Sequence, residues 1–412
     1  MKIVSCVYLL GMWIYSLCLR IAALFNEKAS LLCKGRAETW QKIKHFDKTG
    51  GCVWIHAASL GEFEQGRPLI EAIKAKTPDQ KIVLTFYSPS GYEVRKNYNM
   101  ADLVCYLPAD GPANAKRFIE AINPTQVYFV KYEFWHFFLK AIKTRGIPLY
   151  GVSMIFRRSQ PFFSTWGDWF REMIKMFTHI YVQDAESAQL LESIKYTDFT
   201  VAGDTRFDRV RQIADSAAEV PSVALFAKEA EQVIVAGSTW PPDEDLLVPL
   251  INNAPDGVKL VIAPHEIGKA RVDALCARLT VPYARFTQLD TADLTADKVF
   301  VVDTIGILSA IYRYGTMTYV GGGFGVGIHN TLEPAIYGLP VIFGPNHKRF
   351  KEAVDLVKRG GGFSVKDKKT FDDLVSTLLA DPQKLAEAGK QAGDYCHNML
   401  GATQKIMADT RI

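Results

Sequence analysis

The sequence predicts an α/β chain of two domains, each built on a doubly wound parallel sheet, behind an apolar N-terminal helix. Three observations carry this. Short apolar runs of strand length alternate with helix-length segments through most of the chain, the pattern of parallel strands joined by crossover helices. At 412 residues and 48% hydrophobic content the chain can fill two cores. Residues 319–345 run from an apolar strand through Gly321-Gly322-Gly323-Phe324-Gly325-Val326-Gly327 into a helix carrying Glu333 and Pro334, and on to a second strand at 341–343. That is one strand–turn–helix–strand unit.

Composition narrows the function. A net charge of +4 is too small to argue for nucleic acid. The seven cysteines are scattered without a Cys-x-x-Cys pair, which suits reduced thiols acting as core filler. The eight histidines show no zinc-ligand spacing.

In chain order, residues 3–25 are almost wholly apolar, broken chiefly by Arg20. The run is near the lower limit for spanning a bilayer, and it ends in Arg20 and Asn26-Glu27-Lys28 rather than a small-residue cleavage site. A retained membrane anchor over 1–27 is expected, with a helix packed on the body of the protein as the alternative. Lys28, Lys34, Arg36, Lys42 and Lys44 follow it against Lys2 alone before it, an asymmetry that keeps the downstream chain cytoplasmic whether the helix spans or lies in the interface.

The first globular domain is expected over 35–220. Its opening strand, 52–58, runs into Ser59-Leu60-Gly61-Glu62, where Gly61 permits a tight turn and Glu62 lands at the carboxyl end of a strand, where ligands collect. Glu62 could also be no more than a helix-start acid. Strands follow at 81–87, 102–107, 126–130 and 148–153, with a helix at 113–122 between them. The strand at 126–130 delivers Lys131-Tyr132-Glu133-Phe134-Trp135 to the same edge as Glu62. Residues 156–177 interleave Phe and Trp with Arg157, Arg158, Arg171 and Lys175, a pattern read here as a surface for anionic lipid, with core packing the alternative for about half of the rings. Short strands near 181 and 200 precede Gly203-Asp204-Thr205-Arg206, and the polar, alanine-rich stretch 209–228 reads as a linker.

The second domain is expected over 228–385, with a C-terminal helix, 386–412, returning to the first. A strand at 233–236 runs into Gly237-Ser238-Thr239-Trp240, one at 259–263 delivers Pro264-His265-Glu266, and further strands fall at 299–302, 317–320 and 363–365. Gly323, Gly325 and Gly327 let a ligand approach the backbone, Asn330 or Thr331 can cap the following helix, and a helix start favours a phosphate. Packing alone could also explain such a turn. With a nucleotide there, Glu333 would accept hydrogen bonds from ribose hydroxyls; otherwise it is a helix-start charge. Asp243-Glu244-Asp245 has a spacing some sugar transferases use for a metal, but it follows two prolines and suits the first turn of a helix; no metal is expected.

With these residues in hand the chain resembles the Kdo transferases, glycosyltransferases that move 3-deoxy-manno-octulosonic acid (Kdo) from CMP-Kdo to a lipid A precursor. The resemblance runs over about residues 35–360. It is carried in order by Ser59-Leu60-Gly61-Glu62, Leu107-Pro108-Ala109-Asp110, Glu133-Phe134-Trp135, Gly203-Asp204-Thr205-Arg206-Phe207-Asp208, Ala236-Gly237-Ser238-Thr239 and His329-Asn330-Thr331-Leu332-Glu333-Pro334-Ala335. The family often has Glu-Thr-Glu-Leu-Trp-Pro where this chain has Lys131-Tyr132-Glu133-Phe134-Trp135-His136.

The resemblance implies a GT-B fold, two Rossmann-like domains with the active cleft between them, and an inner-membrane enzyme acting at the cytoplasmic face without cofactor or metal. It implies Glu62 as the base for the acceptor hydroxyl. The donor nucleotide would fall to Gly237, Ser238, Thr239, Pro264, His265, Gly323, Gly325, Gly327, His329, Asn330, Thr331 and Glu333. Ser59, Gly61, Lys131, Glu133, Arg206 and Lys348 are the candidates for acceptor or sugar-carboxylate contacts. The partners are then CMP-Kdo, a lipid A precursor and a membrane surface, with no nucleic acid. Two other readings remain open: another GT-B transferase using a UDP-sugar, and a non-catalytic nucleotide-binding membrane scaffold.

Overall fold

The computed structural model describes residues 2–289 and 292–410. Residues up to Arg209, together with those from Leu400 onward, form one compact unit, and Val210–Met399 form another.

The first unit opens with helices α1 (Lys2–Ala22) and α2 (Glu27–Lys44). Strand and helix then alternate: β1 (Cys52–Ala57), α3 (Leu60–Lys76), β2 (Ile82–Phe86), α4 (Pro89–Arg95), β3 (Leu103–Tyr106), α5 (Pro112–Ile122) and β4 (Pro124–Val130). After α6 (His136–Thr144) and β5 (Leu149–Met154) come α7 (Asp168–Ile174), β6 (His179–Val182), α8 (Ala185–Ser193) and β7 (Phe199–Val201). The strands make one seven-stranded sheet in the order β3-β2-β1-β4-β5-β6-β7. Every pairing in it is parallel. β1 is buried at each of its six positions, as a strand covered on both faces by helices must be. Strand order reverses between β1 and β4, which is where open α/β sheets collect ligands at the carboxyl ends of their strands.

Beyond α9 (Thr205–Ser216) and α10 (Pro221–Ala227), the second unit contains β8 (Gln232–Thr239), α11 (Pro241–Asn252), β9 (Val258–Pro264), α12 (Lys269–Cys276), β10 (Tyr283–Arg285) and β11 (Val299–Val301). It continues with α13 (Leu308–Ile311), β12 (Met317–Val320), α14 (Leu332–Ala335), β13 (Val341–Phe343), α15 (Lys351–Arg359) and β14 (Gly362–Ser364), then α16 (Lys368–Ala380) and α17 (Pro382–Asn398). Its sheet has the order β10-β11-β9-β8-β12-β13-β14, again parallel, with the reversal between β8 and β12. The last helix, α18 (Ala402–Asp409), belongs to the first unit. There Asp208 accepts hydrogen bonds from the backbone of Gly401 and Thr403, each 2.7 Å.

Several expectations are corrected. The stretch 209–228, expected as the domain linker, is mostly helical, in α9 and α10, with a break at 217–220, and the boundary between the two units falls at its start, between Arg209 and Val210. The aromatic run 156–177 is mainly core. Phe156, Phe162 and Phe177 are buried, and Phe163, Trp169 and Phe170 pack against them, leaving Trp166 as its exposed ring. Aromatic content marks a buried surface as readily as an interfacial one, and here the first sheet claims it. Gly61 does not form the turn. It lies in the first turn of α3, outside the positive-φ residues, and an added Cβ there would meet nothing within 4 Å. α3 runs unbroken through Pro68.

α1 is long and apolar enough over Ile3–Ala22 to cross a bilayer. It is nonetheless tied to its own unit along one face. Tyr8 donates to Asp110 at 2.8 Å, Ser5 meets His136 at 3.2 Å, and Tyr87 donates to Tyr15 at 2.7 Å. Positions 5, 8 and 15 recur on one side of a helix. Ile3, Val7, Trp13, Ile21 and Phe25 remain exposed on α1 and just beyond it.

Candidate functional site

In the first unit the carboxyl ends of β1 and β4 bring Glu62 and Glu133 to one edge. Glu62 stands at the third position of α3, behind the N-cap Ser59, whose own side chain makes no capping bond. The Glu62 Oε2 accepts from the Ala58 backbone N–H at 2.5 Å. Burial pushes its pKa up to about 7, and the neighbouring Glu133 carboxylate adds to the rise; the Ala58 N–H, His56 and Lys131 oppose it. The carboxylate is therefore half-ionised near neutrality, which a proton acceptor needs and a plain helix-start acid does not.

Glu133 is itself held. His56, fully buried in β1, contacts the Glu133 Oε2 through Nε2 at 3.1 Å, while its Nδ1 meets the Thr85 hydroxyl at 2.9 Å. The Trp135 indole N–H donates to the same Glu133 oxygen at 2.5 Å, and Trp135 stacks on Tyr87 with centroids 4.7 Å apart. His56 was not singled out from the sequence: a lone histidine inside a buried strand carries no spacing signal. Lys131 follows β4 at φ 61°, a left-handed conformation that an L side chain adopts only when its surroundings enforce it. Arg206 is engaged by Asp204 at 2.8 Å, and Asp204 also accepts from Gln65 at 2.9 Å. Arg206 thus sits in a built network rather than as a spare cation.

In the second unit the corresponding edge joins Gly237, Ser238 and Thr239 of β8 to the glycine turn after β12, with Val320 beside Gly237 in register. Ser238 has φ 54°, the same strained conformation as Lys131 and likewise beside a strand reversal. The glycines divide by role. A Cβ on Gly321 would strike the Ser238 and Thr239 backbone, and one on Gly323 would strike the Gly344 backbone at 2.5 Å. Gly327, at φ 143°, would meet Arg349 and Phe350. Gly325 is open, with only the Gly322 carbonyl 3.7 Å from an added Cβ. So Gly323 and Gly327 are required by packing, while Gly325 borders space.

That space is a cavity of about 630 Å³ lined by Gly325, Val326, His347, Lys348, Arg349 and Lys366 among others. Lys348 and Gly325, remote in sequence, thus share a cationic wall. The turn is pinned from behind by Asp243, which is buried. It accepts from Gly322 N at 2.9 Å, Trp240 N at 2.9 Å and Tyr319 OH at 2.7 Å. Its neighbour Glu244, also buried, receives the Thr239 hydroxyl at 3.1 Å and pairs with Arg271. The Thr239 side chain is therefore directed into α11.

Glu333 lies in the single turn α14, where Ser309 donates to it at 2.6 Å and Asn330 at 2.9 Å. Thr331 occupies the N-cap position but makes no capping bond; the Asn330 Oδ1 instead accepts from Leu332 N at 3.1 Å. The buried Thr331 hydroxyl has no hydrogen-bond partner among the described residues. His265, just past Pro264 at the end of β9, stacks between Trp240 at 4.6 Å and His329 at 4.5 Å. The Trp240 N–H donates to His329 Nε2 at 3.2 Å. Burial, with His265 close by, lowers the His329 pKa, so its ring is a neutral acceptor.

A family model described as 3-deoxy-D-manno-octulosonic-acid transferase matches residues 34–209. The 3-deoxy-D-manno-octulosonic acid transferase of Aquifex aeolicus (strain VF5) is 27% identical over 337 residues, covering 80% of this chain and 86% of that protein. The enzyme of the same name from Bordetella pertussis is 26% identical over 375 residues, covering 86% of each. Among solved structures, UDP-GlcNAc 2-epimerase from Neisseria meningitidis superposes with a TM-score of 0.59 at 14% identity, over 86% of this chain and 98% of its own. Acinetobacter baumannii MurG gives 0.56 at 13%, over 87% and 98%. The two parallel seven-stranded sheets and these neighbours define the GT-B fold. With its N-terminal match and with relatives at 26–27% identity across most of its length, the chain is a glycosyltransferase similar to the Kdo transferases.

Proposed function

We propose that this enzyme transfers Kdo from CMP-Kdo to a lipid A precursor at the cytoplasmic face of the inner membrane, inverting the anomeric carbon and using no divalent metal. The observation that carries the reading is Glu62, a carboxylate raised to about 7 at the strand-reversal edge of the first sheet. In the reaction the acceptor hydroxyl attacks the anomeric carbon and gives its proton to Glu62. The new C–O bond forms as the bond from that carbon to the phosphate breaks, and CMP departs with the bonding electron pair. One displacement inverts the centre.

The second unit is assigned to the donor. Glu333, already aligned by Ser309 and Asn330, receives the ribose hydroxyls. Gly325 and the cations Lys348, Arg349 and Lys366 face the phosphate or the Kdo carboxylate. A single departing phosphate can be met by N–H groups and cations alone. The Asp243 carboxylate supports a metal-free reading, because both of its oxygens serve the glycine turn, Trp240 and Tyr319. At the membrane, α1 is taken to lie in the interface: its tied face keeps it along the first unit while its apolar outer face meets lipid. Residues 1–27 are then an anchor, 35–220 and 228–385 the acceptor and donor domains, and 386–412 the returning segment.

Calorimetry tests the donor assignment. CMP should bind and UDP should not; a preference for UDP would move the enzyme to another sugar donor.

A further inference from the structure

Beneath α1 lies a second cavity, of about 790 Å³, that the transfer site does not use. Its walls include Leu10, Trp13 and Leu17 of α1 facing Gly111, Pro112 and Ala113 at the start of α5. A smaller cavity of about 250 Å³ continues from it, sharing Ser16, Arg20, Ala109 and Asn114 and adding Arg36 and Trp40. The larger volume falls within the roughly 300–1,000 Å³ of small-molecule sites. One end is apolar and the other holds two arginines. Among the described residues neither arginine pairs with a carboxylate. The Arg36 Nε donates to the Leu107 carbonyl at 3.2 Å, but its buried Nη2 has no hydrogen-bond partner.

The groove is a built feature, because Tyr8–Asp110 and Tyr15–Tyr87 hold α1 over it. A run of side-chain contacts connects its cationic end to the carboxylates. The Arg36 guanidinium lies 4.7 Å over the Tyr87 ring, Tyr87 stacks on Trp135 at 4.7 Å, and Trp135 donates to Glu133, the residue that helps raise Glu62. An apolar trough open on one side, ending in two guanidinium groups with no carboxylate partner among the described residues, complements a molecule with an acyl chain and a phosphate.

We infer that this groove seats one acyl chain and a phosphate of the acceptor, with the chain under α1 and the phosphate at Arg20 and Arg36. The inference rests on the proposed reaction and adds where the acceptor is held. α1 is then part of the acceptor site as well as an anchor.

The test uses the full chain in detergent micelles, with tetra-acylated and deacylated forms of the phosphorylated disaccharide. Ala113→Trp fills the trough, and it should raise KM for the acylated acceptor at least about tenfold while leaving kcat and the KM for CMP-Kdo unchanged. With the deacylated acceptor the variant and wild type should match. Arg20→Gln, an exposed and fold-neutral change, should shrink the preference for phosphorylated over dephosphorylated acceptor by about tenfold, the worth of one charge-assisted hydrogen bond. Equal KM values for wild type and Ala113→Trp would overturn the inference. So would a variant that loses binding to phosphatidylglycerol vesicles but not to the acceptor, since a bilayer lipid would then fill the groove. Direct binding of the acylated disaccharide, measured with no donor present, keeps the two readings apart. If wild type binds it, Ala113→Trp does not, and neither transfers Kdo, the groove stands and the proposed reaction falls.

Discussion

Replacing Glu62 with Gln sets its chemistry against its structural role, and the two roles predict opposite signs. Gln keeps the size and can still accept the Ala58 N–H, but it removes the ionisable group. The wild-type carboxyl is raised from its ordinary 4.5 to about 7. At about 1.36 kcal/mol for each pH unit, the folded protein holds an ionised Glu62 at a penalty of about 3 kcal/mol. The sign follows from linkage. A carboxyl whose folded pKa lies above its unfolded value contributes stability below pH 4.5, and that contribution disappears as pH rises through 7. Glu62→Gln should therefore be more stable than wild type at pH 8, by up to about 3 kcal/mol, and the gain should fade toward pH 5. Turnover should fall by about 10²–10⁴. The wild-type kcat/KM should drop roughly tenfold per pH unit below 7, as the base protonates. Urea melts at both pH values and a pH–rate profile settle it. A Gln variant that loses about 0.3–1 kcal/mol of stability and keeps near-normal turnover would mean that Glu62 is only a helix-start acid.

Other expectations follow from the second unit and from α1. Glu333→Ala should weaken CMP binding by about 1–3 kcal/mol by calorimetry, and unchanged affinity would remove the ribose role. Asp243→Ala orphans the Gly322 N–H, the Trp240 N–H and the Tyr319 hydroxyl; at about 1 kcal/mol each it should destabilise by on the order of 3 kcal/mol and weaken CMP binding too. A variant as stable as wild type would show that the glycine turn holds itself. Placing Lys at Ile3, Val7 and Ile21, on the exposed face of α1, should leave the melting temperature unchanged and lower partitioning onto neutral vesicles, whereas loss of fold would place that face in a core.

Much of the frame was legible because parallel strands buried on both faces read as short apolar runs. The strands at 317–320 and 341–343 stand in the structure as the pattern gave them. Even the placement of Glu62 and Glu133 at strand ends follows from that pattern. What sequence left hidden depends on contacts between distant positions. Asp243 does open a helix, but its work is to hold Gly322, 79 positions away. Ser309 reaches Glu333 from a short helix with no motif of its own. β10 is a three-residue edge strand with too little periodicity to register. The glycine turn showed that the backbone must be free there, not that Gly323 faces Gly344 while Gly325 faces open space. The aromatic run 156–177 misled because composition says nothing of which side meets the sheet.

Kdo transfer from CMP-Kdo to a lipid A precursor is tested most directly by the mass of the product when the purified chain is incubated with CMP-Kdo and a tetra-acylated disaccharide precursor in the presence of a chelator. A mass gain of one or more Kdo residues, with stoichiometric CMP release and loss of both in Glu62→Gln, is the expected result. An unmodified acceptor beside intact CMP-Kdo, or a product formed from a UDP-sugar instead, would contradict it.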